Sequence, residues 1–169
     1  MLQPKLLLLF PFLLFLLSAG VSDTKEIDLS SKGIPVTVTV PKNAAIEQGI
    51  KNGEVKDGVT YHCWELVDGD FTMEVGMYDE PMWQSFKDYI RDAKMLAELM
   101  AEEVDVFKYI VKDENGFICS YKSYGEVNYE IYYAMQKGDR LIEFSSGYNA
   151  DKTSLAIMQR IYNAAKQSK

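Results

Sequence analysis

The stretch VTYHCWELVDGDFTMEVGMY, residues 59–78, decides the fold of this chain. Its two arms, 59–67 and 71–78, flank Asp68-Gly69-Asp70, a three-residue loop with a central glycine that is typical of a β-hairpin. Along the second arm alternate positions are apolar: Phe71, Met73, Val75 and Met77. Because alternate side chains of a strand point to opposite faces, we predict a hairpin with one face in the core and the other in water.

Five more strands are predicted on the two sides of this hairpin. Residues 36–40 alternate strictly between apolar and polar and end at Pro41. Toward the C-terminus, turn-forming residues separate four further segments: 106–112, 117–124, 127–135 and 140–148. Residues 42–58 contain three glycines and many charges, and we interpret them as a loop with one short helical turn around 44–48.

Two amphipathic helices complete the pattern. The first follows Glu80-Pro81, since an acidic residue and a proline are favoured at a helix N-terminus. Its apolar stripe recurs every three or four residues: Met82, Phe86, Tyr89, Ala93, Leu96 and Met100. The second helix has Asp151 as its predicted N-cap and an apolar stripe made of Leu155, Met158, Tyr162 and Ala165.

These elements together predict an α+β fold. Strands joined by such short turns must be antiparallel, because a parallel neighbour needs a long crossover. The two helices then cover the apolar faces of the sheet. We therefore expect a single domain over residues 32–169, with one twisted antiparallel sheet of about six to seven strands and with the long helix and the C-terminal helix packed on it.

The N-terminus has the pattern of a secretory signal peptide. Lys5 precedes the apolar run Leu6–Leu17, and the small residues Ser18-Ala19-Gly20 follow. The run is shorter than the roughly 20 residues that span a bilayer, so we expect cleavage after Gly20, with an uncleaved membrane anchor as the alternative. Residues 21–31 would then be a short linker. Val21 stands where a lipid-modified cysteine would be needed, so we expect no lipid anchor and no membrane span after cleavage.

The predicted export of the protein and its net charge exclude some classes of partner. An exported protein works in the periplasm or outside the cell. The 169 residues carry a net charge of −7, and removal of residues 1–20, which contain one lysine and no acid, leaves 149 residues at −8. Nucleic acids and anionic membrane surfaces are bound by clusters of Lys and Arg, and the sequence has no such cluster. We therefore expect neither as a partner.

Cys63 and Cys119 are the only cysteines. In an oxidising compartment an even number of cysteines suggests a disulfide, which requires Cα atoms within about 7 Å of each other. Each cysteine lies in the middle of a predicted strand among large apolar residues, and free cysteine is itself often buried. A disulfide and two buried thiols both fit the sequence, and both alternatives stay open.

The other polar residues that could carry chemistry have simpler structural explanations. His62, the only histidine, is next to Cys63 on a strand, so the two side chains point to opposite faces, and a closed zinc site usually needs four ligands. Glu65 and Glu74 could pair as in a glycosidase, but both suit the polar face of the hairpin. Asp68-Gly69-Asp70 lacks the glutamate that ends a calcium loop. We predict no catalytic residue, metal or cofactor.

Tyrosines provide the strongest candidate for a binding surface. The chain has eleven, and several lie in the C-terminal strands. Tyrosine is favoured both in strands and in protein interfaces, so sheet packing explains most of them. The remaining possibility is an aromatic binding surface made of Tyr124, Tyr132 and Tyr148.

The order of the elements resembles the Mog1/PsbP-like α/β/α sandwich. The shared features are a signal peptide, an early strand that ends at Val40-Pro41, a hairpin, a long helix, a four-stranded meander and a C-terminal helix. The resemblance covers nearly the whole mature chain in element order alone, so it carries over no functional residue. Members with this fold mostly bind protein partners and are not enzymes, which implies a binding role here.

Three functional hypotheses follow. The first is a non-catalytic exported module that binds a partner protein or an envelope component. The alternative is a carrier of a small apolar ligand, with a pocket between the long helix and the sheet that Met82, Phe86 and Met100 would line, because methionine suits adaptable pockets. The third, an unrecognised hydrolase, would need polar side chains clustered in a cleft.

Overall fold

The computed structural model of the protein describes residues 23–81, 84–101, 107–123 and 125–169, without the side chains of residues 100, 101 and 123. The predicted signal peptide (1–20), Met82, Tyr124 and the side chain of Met100 lie outside the described part of the chain. The described residues form β-strands and two α-helices, so the α+β class predicted from the sequence is confirmed.

The elements have the following bounds. The strands are β1 (Thr24–Asp28), β2 (Thr37–Pro41), β3 (Ala45–Gln48), β4 (Val55–Lys56), β5 (Val59–Asp68), β6 (Phe71–Tyr78), β7 (Lys108–Lys112), β8 (Gly116–Ser123), β9 (Glu126–Lys137) and β10 (Arg140–Ser146). The helices are α1 (Phe86–Ala101) and α2 (Leu155–Lys166). A single 3-10 turn, Ser30–Lys32, lies between β1 and β2.

The main sheet has eight strands and is antiparallel throughout. Its order is β3-β5-β6-β10-β9-β8-β7, and β4 also pairs with β5. The predicted hairpin is its β5–β6 unit, in which Gly69 has a φ of +58° and supplies the left-handed conformation of the turn. Strand β7 ends the sheet on one side, and its pairing with β8 is interrupted by a bulge between Tyr109 and Val111.

The hydrophobic core lies on one face of this sheet. Alternate residues of β6 and β10, including Met73, Val75 and Phe144, are buried there against Met158 and Ile161 of α2. A separate two-stranded ribbon, β1–β2, covers the same core with Ile27, Val36, Val38 and Val40. Two elements therefore cover the core, α2 and the β1–β2 ribbon. The sequence predicted α2 in this role, but its placement of the strand 36–40 in the single main sheet is wrong.

Helix α1 lies on the opposite face, over β8. Ser85 begins the helix, because its hydroxyl accepts a hydrogen bond from the backbone N–H of Asp88 at 3.2 Å and donates to the Asp88 carboxylate at 2.6 Å. The start predicted at Pro81 is therefore wrong by about one turn. Ile90 is buried, whereas Met95, Leu96 and Leu99 are each more than half exposed. The apolar stripe of α1 is only partly covered by the sheet.

Three other boundaries need correction. Residues 24–28, within the predicted linker, form β1 because their backbone pairs with β2. Residues 45–48 and 55–56, predicted as loop and helical turn, form β3 and β4 because they pair with the edge of β5. The N-cap of α2 is Ser154 rather than Asp151, whose carboxylate instead accepts from the backbone N–H of Thr153 at 3.0 Å.

Across the ranges that the structure describes, we find no helix with the length and the apolar content needed to span a bilayer.

Candidate functional site

A cavity of about 690 Å³ lies between α1 and the sheet. The α1 side contributes Gln84, Tyr89, Asp92, Ala93, Leu96 and Ala97. The sheet side contributes Phe107, Phe117, Cys119, Tyr121, Glu130, Ile131, Tyr132 and Ser145. Most of these side chains are apolar or aromatic, which is the composition usual in small-molecule sites.

The strand register brings the sheet side of the cavity together. Phe117 of β8 lies opposite Tyr132 of β9, and Tyr132 lies opposite Ser145 of β10. Cys119 lies opposite Glu130 in the same way. Because alternate residues share a face, all five side chains point toward α1. On the helix, Ala93 and Ala97 are four residues apart and so lie on one side; their small side chains leave the space between helix and sheet open.

An aromatic row runs along the cavity, and all of its rings except that of Tyr109 line it. It consists of five rings in sequence: Tyr89, Tyr132, Phe117, Tyr109 and Phe107. The centroid distances between successive rings are 6.5, 5.7, 5.5 and 5.0 Å. These separations are those of interacting aromatic pairs, so the row links α1 to three strands of the sheet.

A half-buried carboxyl group, that of Glu143 on β10, lies behind the tyrosine end of the row. The hydroxyl of Tyr89 donates to Glu143 Oε1, and the hydroxyl of Tyr132 approaches the same oxygen at 3.5 Å. Burial, together with the charge of Glu74 nearby, raises the pKa of Glu143 to about 7. Glu74 in turn accepts from the hydroxyl of Ser145 at 3.4 Å.

A second carboxylate, that of Glu130 on β9, also lines the cavity. The hydroxyl of Tyr121 donates to Glu130 Oε1 at 3.0 Å, and Lys152 Nζ lies 3.2 Å from the same oxygen. Burial and the Glu130 charge raise the pKa of Tyr121 to about 12. The phenol therefore stays protonated and acts as a donor to Glu130 at neutral pH.

The two cysteines are free and buried, and the disulfide alternative is wrong. Cys63 is on β5 and Cys119 on β8, with β6, β10 and β9 between them. Four strand spacings of about 4.8 Å separate the two residues by roughly 19 Å, far beyond the reach of a disulfide. Burial raises the pKa of Cys63 to about 12 and that of Cys119 to about 11, so both are thiols at neutral pH.

The predicted tyrosine surface is only partly visible. Tyr132 is half-buried and lines the cavity. Tyr148 is 76% exposed just beyond β10, where its backbone N–H donates to Glu65 at 3.2 Å, and it does not line the cavity. Tyr124 lies outside the described residues. A surface shared by these three tyrosines stays a prediction.

The other residues considered in the sequence do not meet in the cavity. Glu65 and Glu74 lie directly opposite each other on β5 and β6, on the α1 face but beside the cavity. Phe86 lines a different pocket on α1, of about 630 Å³, and not the cavity. Among the described residues, no three His, Cys, Asp or Glu side chains are placed to hold a metal ion.

Of the residues that line the cavity, the sequence named only Tyr132 and Cys119 as candidate site residues. It missed the others, among them Glu130, Phe117 and Tyr89. The alternation of Phe117, Cys119 and Tyr121 on one strand face was the available signal, because a face with two aromatic rings and a thiol is poorly suited to water. The residues of α1 that face it depend on how the helix is rotated about its axis. An apolar stripe as wide as this one does not determine that rotation.

Compared with known proteins, the chain matches no family model, and no curated protein matches it either.

Proposed function

We propose that this chain is an exported, non-catalytic binding module that holds a small, mostly apolar ligand in the cavity beneath α1. The observation that carries the proposal is the cavity itself. Its volume of about 690 Å³ falls within the range of roughly 300–1,000 Å³ typical of small-molecule sites. Its wall is aromatic, with a few polar groups at its ends, which is the usual arrangement for binding and orienting such a ligand.

The exposure of α1 supports the same proposal. Leu96 lines the cavity and is still 59% exposed, and Ala93 and Ala97 are half-buried beside it. An apolar molecule in the cavity would cover these side chains. Each Å² of apolar surface that it removes from water contributes about 25 cal/mol to binding.

The proposal is tested with a neutral solvatochromic dye, Nile red, and with a variant that fills the cavity. Ala97→Phe places a ring inside the cavity, whereas Ala156→Phe places the same ring on an exposed position of α2. We expect the natural sequence and Ala156→Phe to bind the dye with a blue-shifted emission, and Ala97→Phe to bind it at least about tenfold more weakly. Equal dye binding by all three proteins, with unchanged circular dichroism, would contradict the proposal.

A partner protein or envelope component is the second candidate. Met95 and Leu99 of α1 are 54% and 53% exposed, and Tyr148 is exposed as well, as an interface residue should be. The Mog1/PsbP-like resemblance also implies partner binding. Under this candidate, Tyr124→Ala and Tyr132→Ala weaken partner capture without unfolding the domain, and normal capture by both variants would contradict it.

A further inference from the structure

We infer that the cavity beneath α1 selects a lipophilic ammonium ion, that is, a molecule with an apolar body and one positively charged amine head group. The inference rests on the proposed function, because it names the class of ligand for the same cavity. Three properties of the wall carry it: the sign of its charges, the direction of its hydrogen bonds and its aromatic faces.

The charged residues of the cavity wall are acidic. Asp92 and Glu130 line it, and no lysine, arginine or histidine is among its described lining residues. Each of these two acids is paired with a cation that does not itself line the cavity. Arg91, 68% exposed, pairs with Asp92 at 3.0 Å, and Lys152 pairs with Glu130 at 3.2 Å. Glu143 and Glu74 add negative charge behind the tyrosines, where Lys51 opposes Glu143. The charged groups described around the cavity are therefore acidic on balance, and a cation in the cavity meets a wall of opposite sign.

The hydroxyl groups around the cavity direct their hydrogens away from a ligand. Each of four hydroxyls is paired with a carboxylate: Tyr89 and Tyr132 with Glu143, Ser145 with Glu74, and Tyr121 with Glu130. An ionised carboxylate can only accept hydrogen bonds, so at pH 8, above the Glu143 pKa of about 7, each hydroxyl is the donor. These four groups therefore present oxygen lone pairs to the cavity. A ligand with a carboxylate or phosphate head would find few donors there, whereas the positively polarised N–H or N-methyl groups of an ammonium ion would face oxygen lone pairs.

The aromatic row supplies the third property. Aromatic faces carry partial negative charge, and a cation within about 6 Å of a ring centroid is attracted to it. Tyr89, Tyr132 and Phe117 present three successive rings to the cavity. Such rings bind both the apolar body of a ligand and its cationic head, whereas a purely aliphatic wall would bind only the apolar body.

The test compares three ligands with the same eight-carbon chain at pH 8, where Glu143 is ionised. They are octyltrimethylammonium, octan-1-ol and octanoate, each measured by calorimetry and by displacement of Nile red. We expect octyltrimethylammonium to bind about tenfold more tightly than octan-1-ol, and octanoate to bind most weakly. Tighter binding of octan-1-ol or octanoate would overturn the inference and leave the proposed function standing.

Two variants test which residues cause the preference for the ammonium ligand. Glu130→Gln removes one charge from the wall, and Phe117→Leu replaces a ring by an aliphatic side chain. Each should reduce the preference for octyltrimethylammonium over octan-1-ol several-fold. Glu47→Gln makes the same change in net charge at an exposed position on β3 and should leave the preference unchanged. An equal loss in Glu47→Gln would overturn the inference, because the effect would then come from the net charge of the protein.

The two proposals can fail separately. If Nile red binds in an Ala97-dependent way and none of the three ligands displaces it, the ammonium inference is wrong and the cavity remains a binding site. If neither the dye nor any of the ligands binds, the proposed function fails, and the inference fails with it.

Discussion

Glu143 is the residue whose environment departs furthest from that of an ordinary glutamate. Its pKa is raised from 4.5 to about 7, first by burial and then by Glu74, while Lys51 acts in the opposite direction. A raised folded-state pKa means that folding favours the protonated carboxyl group. The resulting stabilisation is fully present below about pH 4.5, and it is lost as the pH rises through 7.

This sign predicts the behaviour of Glu143→Gln, in which a neutral amide replaces the carboxyl group. We expect the variant to be more stable than the natural sequence at pH 8 by on the order of 2 kcal/mol, and about equally stable at pH 4.5. The tyrosine hydroxyls that donate to Glu143 favour its ionised form, so the effect should be smaller than burial alone would give. Urea unfolding at the two pH values measures it, and parallel pH profiles for the two proteins would disprove it.

The thiols give a second prediction at this scale. Because burial raises the pKa of both cysteines, the thiolate that reacts with alkylating agents is scarce in the folded protein. At pH 8 we expect iodoacetamide to modify the native protein at least about a hundredfold more slowly than the urea-unfolded protein. Mass spectrometry should then find two modified cysteines after unfolding without a reductant. A mass two hydrogens lower, with no modification, would show a disulfide.

Cys63 should react even more slowly than Cys119, for a reason that lies in its surroundings. The backbone N–H of Gly49 donates to the carbonyl of Cys63 at 3.0 Å. A Cβ atom at Gly49 would lie only 2.3 Å from the Cys63 sulfur. The loop thus covers this thiol closely, whereas Cys119 faces the cavity.

At the scale of elements, local patterns predicted well the strands that bury a face. The hairpin β5–β6 and the strands β8 to β10 alternate apolar and polar side chains, and the structure confirms them to within a few residues. Strand β3 was missed because its four side chains are all exposed. It is a strand only because its backbone pairs with the edge of β5. No pattern among its own side chains indicates that this pairing will form.

Helix α1 shows why the start of a helix was harder to predict. Both Pro81 and Ser85 are suitable near an N-terminus, and the sequence alone does not choose between them. The structure uses Ser85, which exchanges hydrogen bonds with Asp88.

Removal of this cap should therefore loosen the helix. We expect Ser85→Ala to lower the free energy of unfolding by about 1 kcal/mol and to speed hydrogen exchange in the first turn of α1. Ser31→Ala, at an exposed position in the 3-10 turn, is the matched control and should do neither. Unchanged exchange in the first turn of the Ser85 variant would contradict the assignment of the cap.

At the scale of the whole molecule, the two faces of the sheet have different roles. The face under α2 and the β1–β2 ribbon holds the close-packed core. The face under α1 holds the cavity, the buried carboxyl groups and both thiols. The sequence predicted that the two helices would cover the sheet, but it could not predict that one would be packed tightly and the other only partly. That difference depends on Ala93 and Ala97, whose short side chains leave the space between α1 and the sheet unfilled.

This division predicts unequal costs for two similar truncations. Phe144→Ala removes a fully buried ring from the core and should lower the free energy of unfolding by about 3–5 kcal/mol. Leu96→Ala shortens a residue that is 59% exposed above the cavity and should cost less than about 1 kcal/mol. Urea unfolding compares them. Equal costs would mean that α1 belongs to the same cooperative core as α2.

The sheet has two edge strands, β3 and β7, and each edge has features that oppose polymerisation. Unpaired edge strands are templates on which further chains add, and proteins block them with lysines, bulges or short strands. Lys108 and Lys112 are exposed on β7, next to its bulge, and β3 offers only four residues, among them Glu47. A protein built on such a sheet can reach high concentrations without seeding fibrils from its own edges.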